Sequence, residues 1–426
     1  LFKKKIWKIQ RQRADKDIIK KAIEWIKKSK KPLIIAGGGI HYSEATEELK
    51  KFVDITNIPV AETFAGKGAL KYNDSHQLGA IGVTGTFGAV KISKESDLII
   101  GIGTRYSDFT TSSKTAFQNK NVKFININNN EFDAAKNGAL MVQGDAKAIL
   151  KELNISLSKY KVDKKYSNEV KKLNLKWDDI VSKIYNYRNP KIFSQGEIIG
   201  AVNNFMDDKD VVVCAAGSLP GDLHKLWRTK DHKGFHLEYG YSCMGYEIAG
   251  GLGIKMADPS REIYVMVGDG SYLMLAQEIV TSIQENLKLT IVLIDNQGYK
   301  SIGSLSRSLG SKGFGTRFSF RNEKKNNDFG DNQPKEKEVK INLAKNAKSL
   351  GAHVFKCENY NDLENALKEA KSINKTTVIY TQCDRFHEIE GYSWWEVPVA
   401  ETSKINSVNK AYKIYLKQKK NQRFYN

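Results

Sequence analysis

Two polar residues, Asp269 and Asn296, stand at the ends of two apolar runs in the second half of the chain. Residues 263–267 lead into Gly-Asp-Gly-Ser, and residues 289–294 lead into Asp-Asn-Gln-Gly. Apolar residues recur at helical spacing between the two runs, which predicts a strand, a helix and a second strand. Because parallel strands end at one edge of a sheet, a carboxylate and an amide oxygen would meet there. Such oxygens suit Mg²⁺, which completes its octahedron with phosphate and water.

Alternating strands and helices predict the scaffold that positions these two residues. A first strand ends before Gly37, and a helix capped by Ser194 precedes the second series of strands. The other predicted strands cover residues 58–61, 97–103, 122–127, 210–214, 263–267, 289–294 and 377–382. The pattern predicts an α/β protein with two doubly wound parallel-sheet domains.

The predicted domain boundaries follow changes in composition. The segments are a linker at 1–14, a central α/β domain at 15–158, a helical linker at 159–190, a second α/β domain at 191–400, and a C-terminal helix and tail at 401–426. The three glycines that begin at Gly37 do not form the GxGxxG pattern of a nucleotide site. Close packing of backbone segments is the interpretation we favour for them.

Composition and charge argue against several classes of function. The chain has 426 residues, 40% of them hydrophobic, which suits two or three domains at roughly 150 residues each. No apolar run reaches the roughly 18 residues of a membrane helix, and the basic start lacks the apolar core of a secretory signal. The net charge of +20 comes from dispersed lysines without a nucleic-acid-binding motif, which favours solvated surface. Four scattered cysteines are typical of free thiols in a reducing cytoplasm.

Longer stretches of sequence resemble one enzyme family. The GDG segment followed by Asn-x-Gly is similar to the thiamine diphosphate signature of the acetolactate synthase and pyruvate decarboxylase superfamily. Within that superfamily, several stretches resemble the 3D-(3,5/4)-trihydroxycyclohexane-1,2-dione hydrolases of myo-inositol catabolism, namely AGKGAL, LGAIGVTGT, GTRYSDFTT, AAGSLPGDLHKLW, EYGYSCMGYEIAGGLG, GDGSYLM and WWEVPV. The resemblance implies a hydrolase that uses thiamine diphosphate and Mg²⁺ to open the cyclic dione to 5-deoxyglucuronate. Residues 191–400 would be its diphosphate-binding domain.

The same resemblance implies roles for individual residues. Asp269 and Asn296 would bind Mg²⁺, with the Gly298 carbonyl as a third ligand. Met244 would form an apolar wedge beneath the cofactor, although ordinary core filling is the simpler alternative. Ser271 would contribute a hydroxyl group to diphosphate binding. The residues implied to bind the cofactor are Gly217, Ser218, Leu219, Ser242, Met244, Gly245, Gly268, Gly270, Ser271 and Gly298.

No activating catalytic group is assigned by the resemblance. In the superfamily, a pyrimidine-binding domain supplies the glutamate that activates the cofactor, and no counterpart is predicted in these residues. Such a domain would be lost, encoded separately or removed from the sequence, and the isolated chain is expected to be inactive for that reason. His224 is a candidate for substrate contact.

Two other functions remain open at this point. One is an acetolactate synthase-like carboligase that acts on pyruvate, and the other is a noncatalytic subunit that needs a separate pyrimidine domain. The predicted partners are a small-molecule dione and either a second copy of the chain, in a homo-oligomer, or a complementary pyrimidine-domain chain. Neither nucleic acid nor a membrane is expected as a partner, and the expected location is the cytoplasm.

Overall fold

The computed structural model describes residues 6–189, 191–320 and 338–425, which form two compact units. The first unit comprises the residues up to Leu175 together with the C-terminal residues from Arg423, and the second comprises Lys176–Gln422. Each unit contains a six-stranded parallel sheet with flanking helices, which confirms the predicted fold class. None of the helices in the described part of the chain has the length and apolar character needed to cross a membrane.

The first unit alternates strands and helices. Its strands are β1 (Pro32–Ala36), β2 (Val60–Glu62), β3 (Gln77–Ala80), β4 (Leu98–Ile102), β5 (Lys123–Asn128) and β6 (Leu140–Gln143). Its helices are α1 (Lys16–Lys28), α2 (Gly39–Tyr42), α3 (Thr46–Thr56), α4 (Phe87–Glu95), α5 (Glu131–Ala135) and α6 (Ala146–Ser156), followed by α7 (Lys164–Tyr185), which contains the boundary between the units. The strand order is β3-β2-β1-β4-β5-β6, so the chain reverses its winding direction between β1 and β4.

The second unit follows the same alternation. Its strands are β7 (Val211–Cys214), β8 (Phe235–Leu237), β9 (Ile263–Gly268), β10 (Thr290–Asp295), β11 (His353–Cys357) and β12 (Thr377–Gln382). Its helices are α8 (Gln195–Phe205), α9 (Ser218–Leu226), α10 (Tyr246–Ala257), α11 (Asp269–Tyr272), α12 (Glu278–Gln284), α13 (Lys300–Ser308), α14 (Leu343–Ser349), α15 (Tyr360–Ser372) and α16 (Asn406–Lys419). The strand order is β11-β12-β10-β9-β7-β8, which places the reversal of winding between β7 and β9.

Local sequence explains why these elements form. The central strands β1, β4 and β10 are buried along their whole length, and their sequences are nearly continuous runs of Ile, Leu and Val. Such runs are typical of parallel strands that are covered on both faces. Helix α8 begins with a capping box in which Ser194 Oγ accepts the Glu197 N–H and Glu197 accepts the Ser194 N–H. The predicted N-cap at Ser194 is thereby confirmed.

Candidate cofactor site

The candidate site lies at the carboxyl edge of the second sheet, where β7, β9 and β10 end. Strands β9 and β10 are neighbours in parallel register, with Gly268 opposite Ile294. Asp269 follows Gly268, and Asn296 follows the last residue of β10, so both polar residues leave the sheet at nearly the same level. In open parallel sheets, ligands bind at this edge, in the crevice where the winding reverses.

Two buried side-chain oxygens in this crevice lack partners in the described part of the chain. Asp269 is 1% exposed and Asn296 is 7% exposed. The Gly298 N–H donates to Asp269 Oδ2 at 2.6 Å, whereas Asp269 Oδ1 and Asn296 Oδ1 have no hydrogen-bond partner among the described residues. An unsatisfied buried acceptor costs about 1–3 kcal/mol. A hard divalent cation would satisfy both oxygens at once, so the donor set fits such an ion.

A second carboxylate adds negative charge beside Asp269. Burial and the neighbouring Asp295 carboxylate raise the pKa of Asp269 above its ordinary value. Asp295 is held by the Tyr380 hydroxyl, which donates to Oδ2 at 2.6 Å, and by the Gln297 N–H, which donates to Oδ1 at 2.9 Å. Because like charges destabilise each other in a buried environment, a bound cation would stabilise this pair.

A cavity of about 250 Å³ opens onto these groups. Loops after β7, β9 and β10 form much of its wall, together with the segment before α10 and the first residues of α8 and α13. The lining residues are Gln195, Ala216, Gly217, Ser218, Leu219, Ser242, Met244, Gly268, Asp269, Gly270, Ser271, Ile294, Asn296, Gly298, Tyr299, Lys300, Ser301 and Ile302.

The N-terminus of α9 faces this cavity without a capping side chain. Gly217 is the N-cap and adopts φ 99° and ψ −159°, a conformation that is essentially restricted to glycine. Apart from Gly217 itself and its two neighbours in the chain, no described atom lies within 4 Å of the position that a Cβ of Gly217 would occupy. Ser218 starts the helix and donates from Oγ to Gln195 Oε1 at 3.4 Å. An uncapped helix start beside open space is suited to an anion such as a phosphate.

Glu247, which is 1% exposed, connects loops that border the cavity. Its Oε1 accepts the Ser271 hydroxyl at 2.7 Å, and its Oε2 accepts the Gly245 N–H at 3.0 Å. The Gly245 N–H also lies 2.8 Å from Ser271 Oγ. Because the single hydroxyl proton of Ser271 is directed to Glu247, Ser271 supports the Gly245 turn. Burial raises the pKa of Glu247.

Comparisons with known proteins agree with this geometry. A family model described as thiamine pyrophosphate enzyme, central domain, matches residues 19–153, and one described as thiamine pyrophosphate enzyme, C-terminal TPP binding domain, matches residues 215–381. The 3D-(3,5/4)-trihydroxycyclohexane-1,2-dione hydrolase of Bacillus cereus (strain AH820) is 41% identical over 96% of this chain and 67% of its own length. The protein of the same name from Clostridium botulinum (strain Alaska E43 / Type E3) is 40% identical over 100% of this chain and 69% of its own length.

The chain belongs to the 3D-(3,5/4)-trihydroxycyclohexane-1,2-dione hydrolase family. The resemblance stated from the sequence is confirmed, and the second unit contains the thiamine pyrophosphate-binding domain. Of the residues predicted to bind the cofactor or the metal, all except Gly245 line the cavity. The Gly245 N–H donates a hydrogen bond to the hydroxyl oxygen of Ser271, which lines the cavity.

Met244 and His224, two residues with predicted roles in this hydrolase family member, differ in their position relative to the cavity. Met244 lines the cavity, and its Cε would lie 3.5 Å from a Cβ built on Gly270. Met244 therefore lies beside the second glycine of the GDG segment, and its role as a wedge stays a prediction. His224 is completely buried within α9 and is not among the cavity-lining residues. Its role in substrate contact stays a prediction.

Sequence reasoning missed several polar residues at this site, of which three make the contacts described here. Gln195 and Lys300 line the cavity, and Glu247 joins its loops. Gln195 directly follows the predicted N-cap Ser194, and Lys300 is the second residue after the Asn-x-Gly segment. The available signal was therefore their proximity to a recognised motif. Nothing in the residue types alone distinguishes these side chains from surface residues.

Proposed function

We propose that this chain uses thiamine diphosphate and Mg²⁺ in the hydrolytic cleavage of 3D-(3,5/4)-trihydroxycyclohexane-1,2-dione to 5-deoxyglucuronate. Family membership supports the substrate, because the relatives carry the name of this hydrolase. One structural observation carries the cofactor assignment, namely the two buried oxygens of Asp269 and Asn296 that lack partners within the described chain and border the cavity. The relatives' names favour this hydrolase over an acetolactate synthase-like carboligase.

In this proposal, the residues of the cavity divide the work of binding. Asp269 and Asn296 would bind Mg²⁺ through their free oxygens, with the Gly298 carbonyl as the third protein ligand. The uncapped N–H groups that follow Gly217 at the start of α9 would donate to the diphosphate. Thiamine diphosphate, when bound, would supply a carbon nucleophile that adds to a carbonyl and an electron-poor ring that takes up the electron pair of the carbon–carbon bond that breaks.

The remaining wall residues would hold the loops in place and exclude water. Glu247 ties Ser271 to Gly245, so the GDG loop and the segment that carries Met244 keep a fixed distance. Preorganised donors in a dry cavity stabilise charge more strongly than the same donors in water. We assign Ser271 this supporting role in addition to its place in the cavity wall.

We also propose that a partner chain covers the mouth of the cavity. Tyr241 is 92% exposed next to the lining residue Ser242, and Met274 is 51% exposed close to Gly245. Exposed apolar side chains grouped beside a ligand site are typical of an interface. A second copy of this chain, or a chain that carries a pyrimidine-binding domain, would bury them.

The substitution Asp269→Ala tests the cofactor assignment. We expect it to weaken Mg²⁺-dependent binding of thiamine diphosphate at least about 100-fold, or about 2.7 kcal/mol, because the diphosphate charge loses its bridging ion. Titration calorimetry on the purified chain, with and without Mg²⁺, measures the change. Asp17→Ala, which removes an exposed carboxylate in the first unit, is the control. Unchanged affinity in Asp269→Ala would contradict the metal site.

An assay of two substrates tests the reaction itself. We expect ring opening of the dione, and no acetolactate formation from pyruvate, once a chain with a pyrimidine-binding domain is added to the purified chain, and Asp269→Ala should lose the ring opening. Acetolactate formation without ring opening would show that the chain is a carboligase.

A further inference from the structure

A segment after β12 packs behind the turn that carries the proposed metal ligands. We call residues 383–390 the C-terminal strap. Its start continues the sheet edge, because the Cys383 N–H donates to the Asp295 carbonyl at 2.9 Å and the Asp384 N–H donates to the Phe193 carbonyl at 2.8 Å. The strap therefore contacts the turn at residues 295–298, although it follows this turn by more than 80 residues. Asp269, in contrast, precedes the turn in the sequence.

Arg385 contacts this turn through its side chain. It is 5% exposed, and its Nη1 donates to the Asn296 carbonyl at 3.3 Å and to the Gln297 carbonyl at 2.9 Å. Its Nη2 donates to the Thr316 carbonyl at 3.2 Å. One guanidinium thus connects two consecutive carbonyls of the turn with a loop that lies about 20 residues further along the chain.

The Thr316 loop in turn holds the other end of the same turn. The Tyr299 N–H donates to the Thr316 carbonyl at 2.9 Å. A Cβ built on Gly298 would lie 2.4 Å from that carbonyl oxygen, so only glycine permits the approach. The turn is therefore fixed at its carbonyls by Arg385, at its exit by Thr316, and at the Gly298 N–H by Asp269.

We infer that Arg385 is a positioning residue for the metal ligands, an inference that rests on the proposed function. Its guanidinium holds the Asn296 and Gln297 carbonyls, and this fixes the direction in which the Asn296 side chain and the Gly298 carbonyl face Asp269. Arginine suits this task because its planar fork donates in several fixed directions and accepts nothing. Hydrogen-bonded partners of metal ligands commonly control metal affinity in this way.

The charge of Arg385 is compatible with a neighbouring cation. The bonds described above end on backbone carbonyls, so the guanidinium does not take up the free Oδ1 of Asp269. Burial lowers the pKa of Arg385 and Asp269 opposes this effect. Arginine nevertheless stays protonated in proteins.

Other cations hold the strap independently of Arg385. Lys300 Nζ donates to the Asp384 and His387 carbonyls at 3.2 and 2.9 Å, and Lys225 Nζ donates to the Glu390 carbonyl at 2.7 Å. Arg307 Nη2 donates to Glu388 Oε1 at 3.0 Å. Removal of the Arg385 guanidinium should therefore leave the strap in place and affect the turn.

Three variants test the inference, namely Arg385→Met, Arg385→Lys and Arg307→Met. Arg307→Met is the matched control, because it removes a guanidinium that donates to Glu388 of the strap. The measurement is the Mg²⁺ concentration that half-saturates binding of thiamine diphosphate, determined by calorimetry, together with the melting temperature of the ligand-free chain. We expect the Mg²⁺ requirement of Arg385→Met to rise about 10- to 100-fold, with a smaller rise in Arg385→Lys and a less than two-fold change in Arg307→Met.

The outcomes separate a positioning role from a structural one. If Arg385→Met lowers the melting temperature but leaves the Mg²⁺ requirement at the wild-type value, Arg385 only stabilises the fold and the inference is wrong. Should Arg385→Met fail to fold, Arg385→Lys decides, since a wild-type Mg²⁺ requirement in that variant has the same meaning. A wild-type chain without any Mg²⁺-dependent binding would contradict the proposed cofactor site and, with it, the inference.

Discussion

The carboxyl edges of the two sheets use glycine in opposite ways. In the first unit, Gly37 follows β1 and Gly103 follows β4, where the winding reverses, and a Cβ on Gly37 would lie 2.2 Å from the Gly103 carbonyl oxygen. The Gly39 N–H also donates to that oxygen at 3.0 Å. In the second unit, no described atom beyond the adjacent residues of the chain lies within 4 Å of a Cβ built on Gly217 or Gly268.

This difference shows what a glycine after a strand can mean. In the first sheet, the missing side chains let two backbone segments touch, which fills the crevice and supports the packing interpretation of residues 37–39. In the second sheet, they leave an open cavity beside an uncapped helix and two unpaired oxygens. The same edge of the same kind of sheet is thus closed by protein in one unit and open to a ligand in the other.

The largest effect that would test this comparison is on stability in the first unit. Gly37→Ala should lower the free energy of unfolding by about 3 kcal/mol, because its methyl group would overlap backbone atoms that have no room to move. Urea unfolding followed by circular dichroism measures it. Gly38→Ala is the neighbouring control, since the nearest atom to its Cβ is the Ala65 methyl carbon at 3.1 Å. Equal stability of the Gly37 variant and wild type would show that the crevice is not closed.

A smaller effect, on binding rather than stability, is expected in the second unit. Gly268→Ala should weaken Mg²⁺-dependent binding of thiamine diphosphate about ten-fold, or about 1.4 kcal/mol, because the new methyl group enters the cavity. The melting temperature of the ligand-free chain should stay unchanged, since Gly268 has φ −79° and open space around it. Gly253→Ala, also in open space but outside the cavity lining, is the control. A loss of stability without a loss of affinity would refute the comparison.

The smallest expected effect is on the pH dependence of stability, and it compares a buried glutamate of the first unit, Glu62, with one of the second, Glu247. Burial raises the pKa of Glu62 in the first unit, against the opposing charge of Lys67, and Glu62 Oε1 accepts the Gly68 and Leu70 N–H groups at 3.1 and 3.0 Å. Because the folded pKa is the higher one, the stability gained from protonated Glu62 is present below the unfolded value of about 4.3 and is lost as the pH rises through the folded pKa.

Glu62→Gln removes this dependence and keeps an acceptor oxygen. We expect the stability of the variant relative to wild type to increase from pH 4 to pH 8 by on the order of 1 kcal/mol, with cofactor affinity unchanged. Thermal unfolding over that pH range measures the trend, and Glu247→Gln is the counterpart that should alter affinity. A pH-independent difference between Glu62→Gln and wild type would argue against a raised pKa.

Strand prediction from the sequence succeeded in the centre of each sheet and failed at its margins. Strands β1, β4, β9 and β10 were predicted because their apolar runs are continuous. No range was predicted for strands β3, β6, β8 and β11, and all four are edge strands. Edge strands are short and only partly buried, and in β11 only Cys357 is buried. Their apolar runs are short, and a short apolar run does not distinguish a strand from a helical segment.

The sequence by itself determined that Asp269 and Asn296 follow two strands and lie at the same edge of a sheet. Apolar runs define the strands, and neighbouring parallel strands end at one edge. The sequence also determined the family, because stretches such as AAGSLPGDLHKLW resemble those of the hydrolases. Only the tertiary structure decided that the second crevice is open and the first is closed, since the same glycines are compatible with either. It also decided the parts played by Glu247 and Arg385, whose partners lie far from them in sequence. Hydrogen bonds of that kind depend on packing between distant segments, and residue types along a chain do not encode them locally.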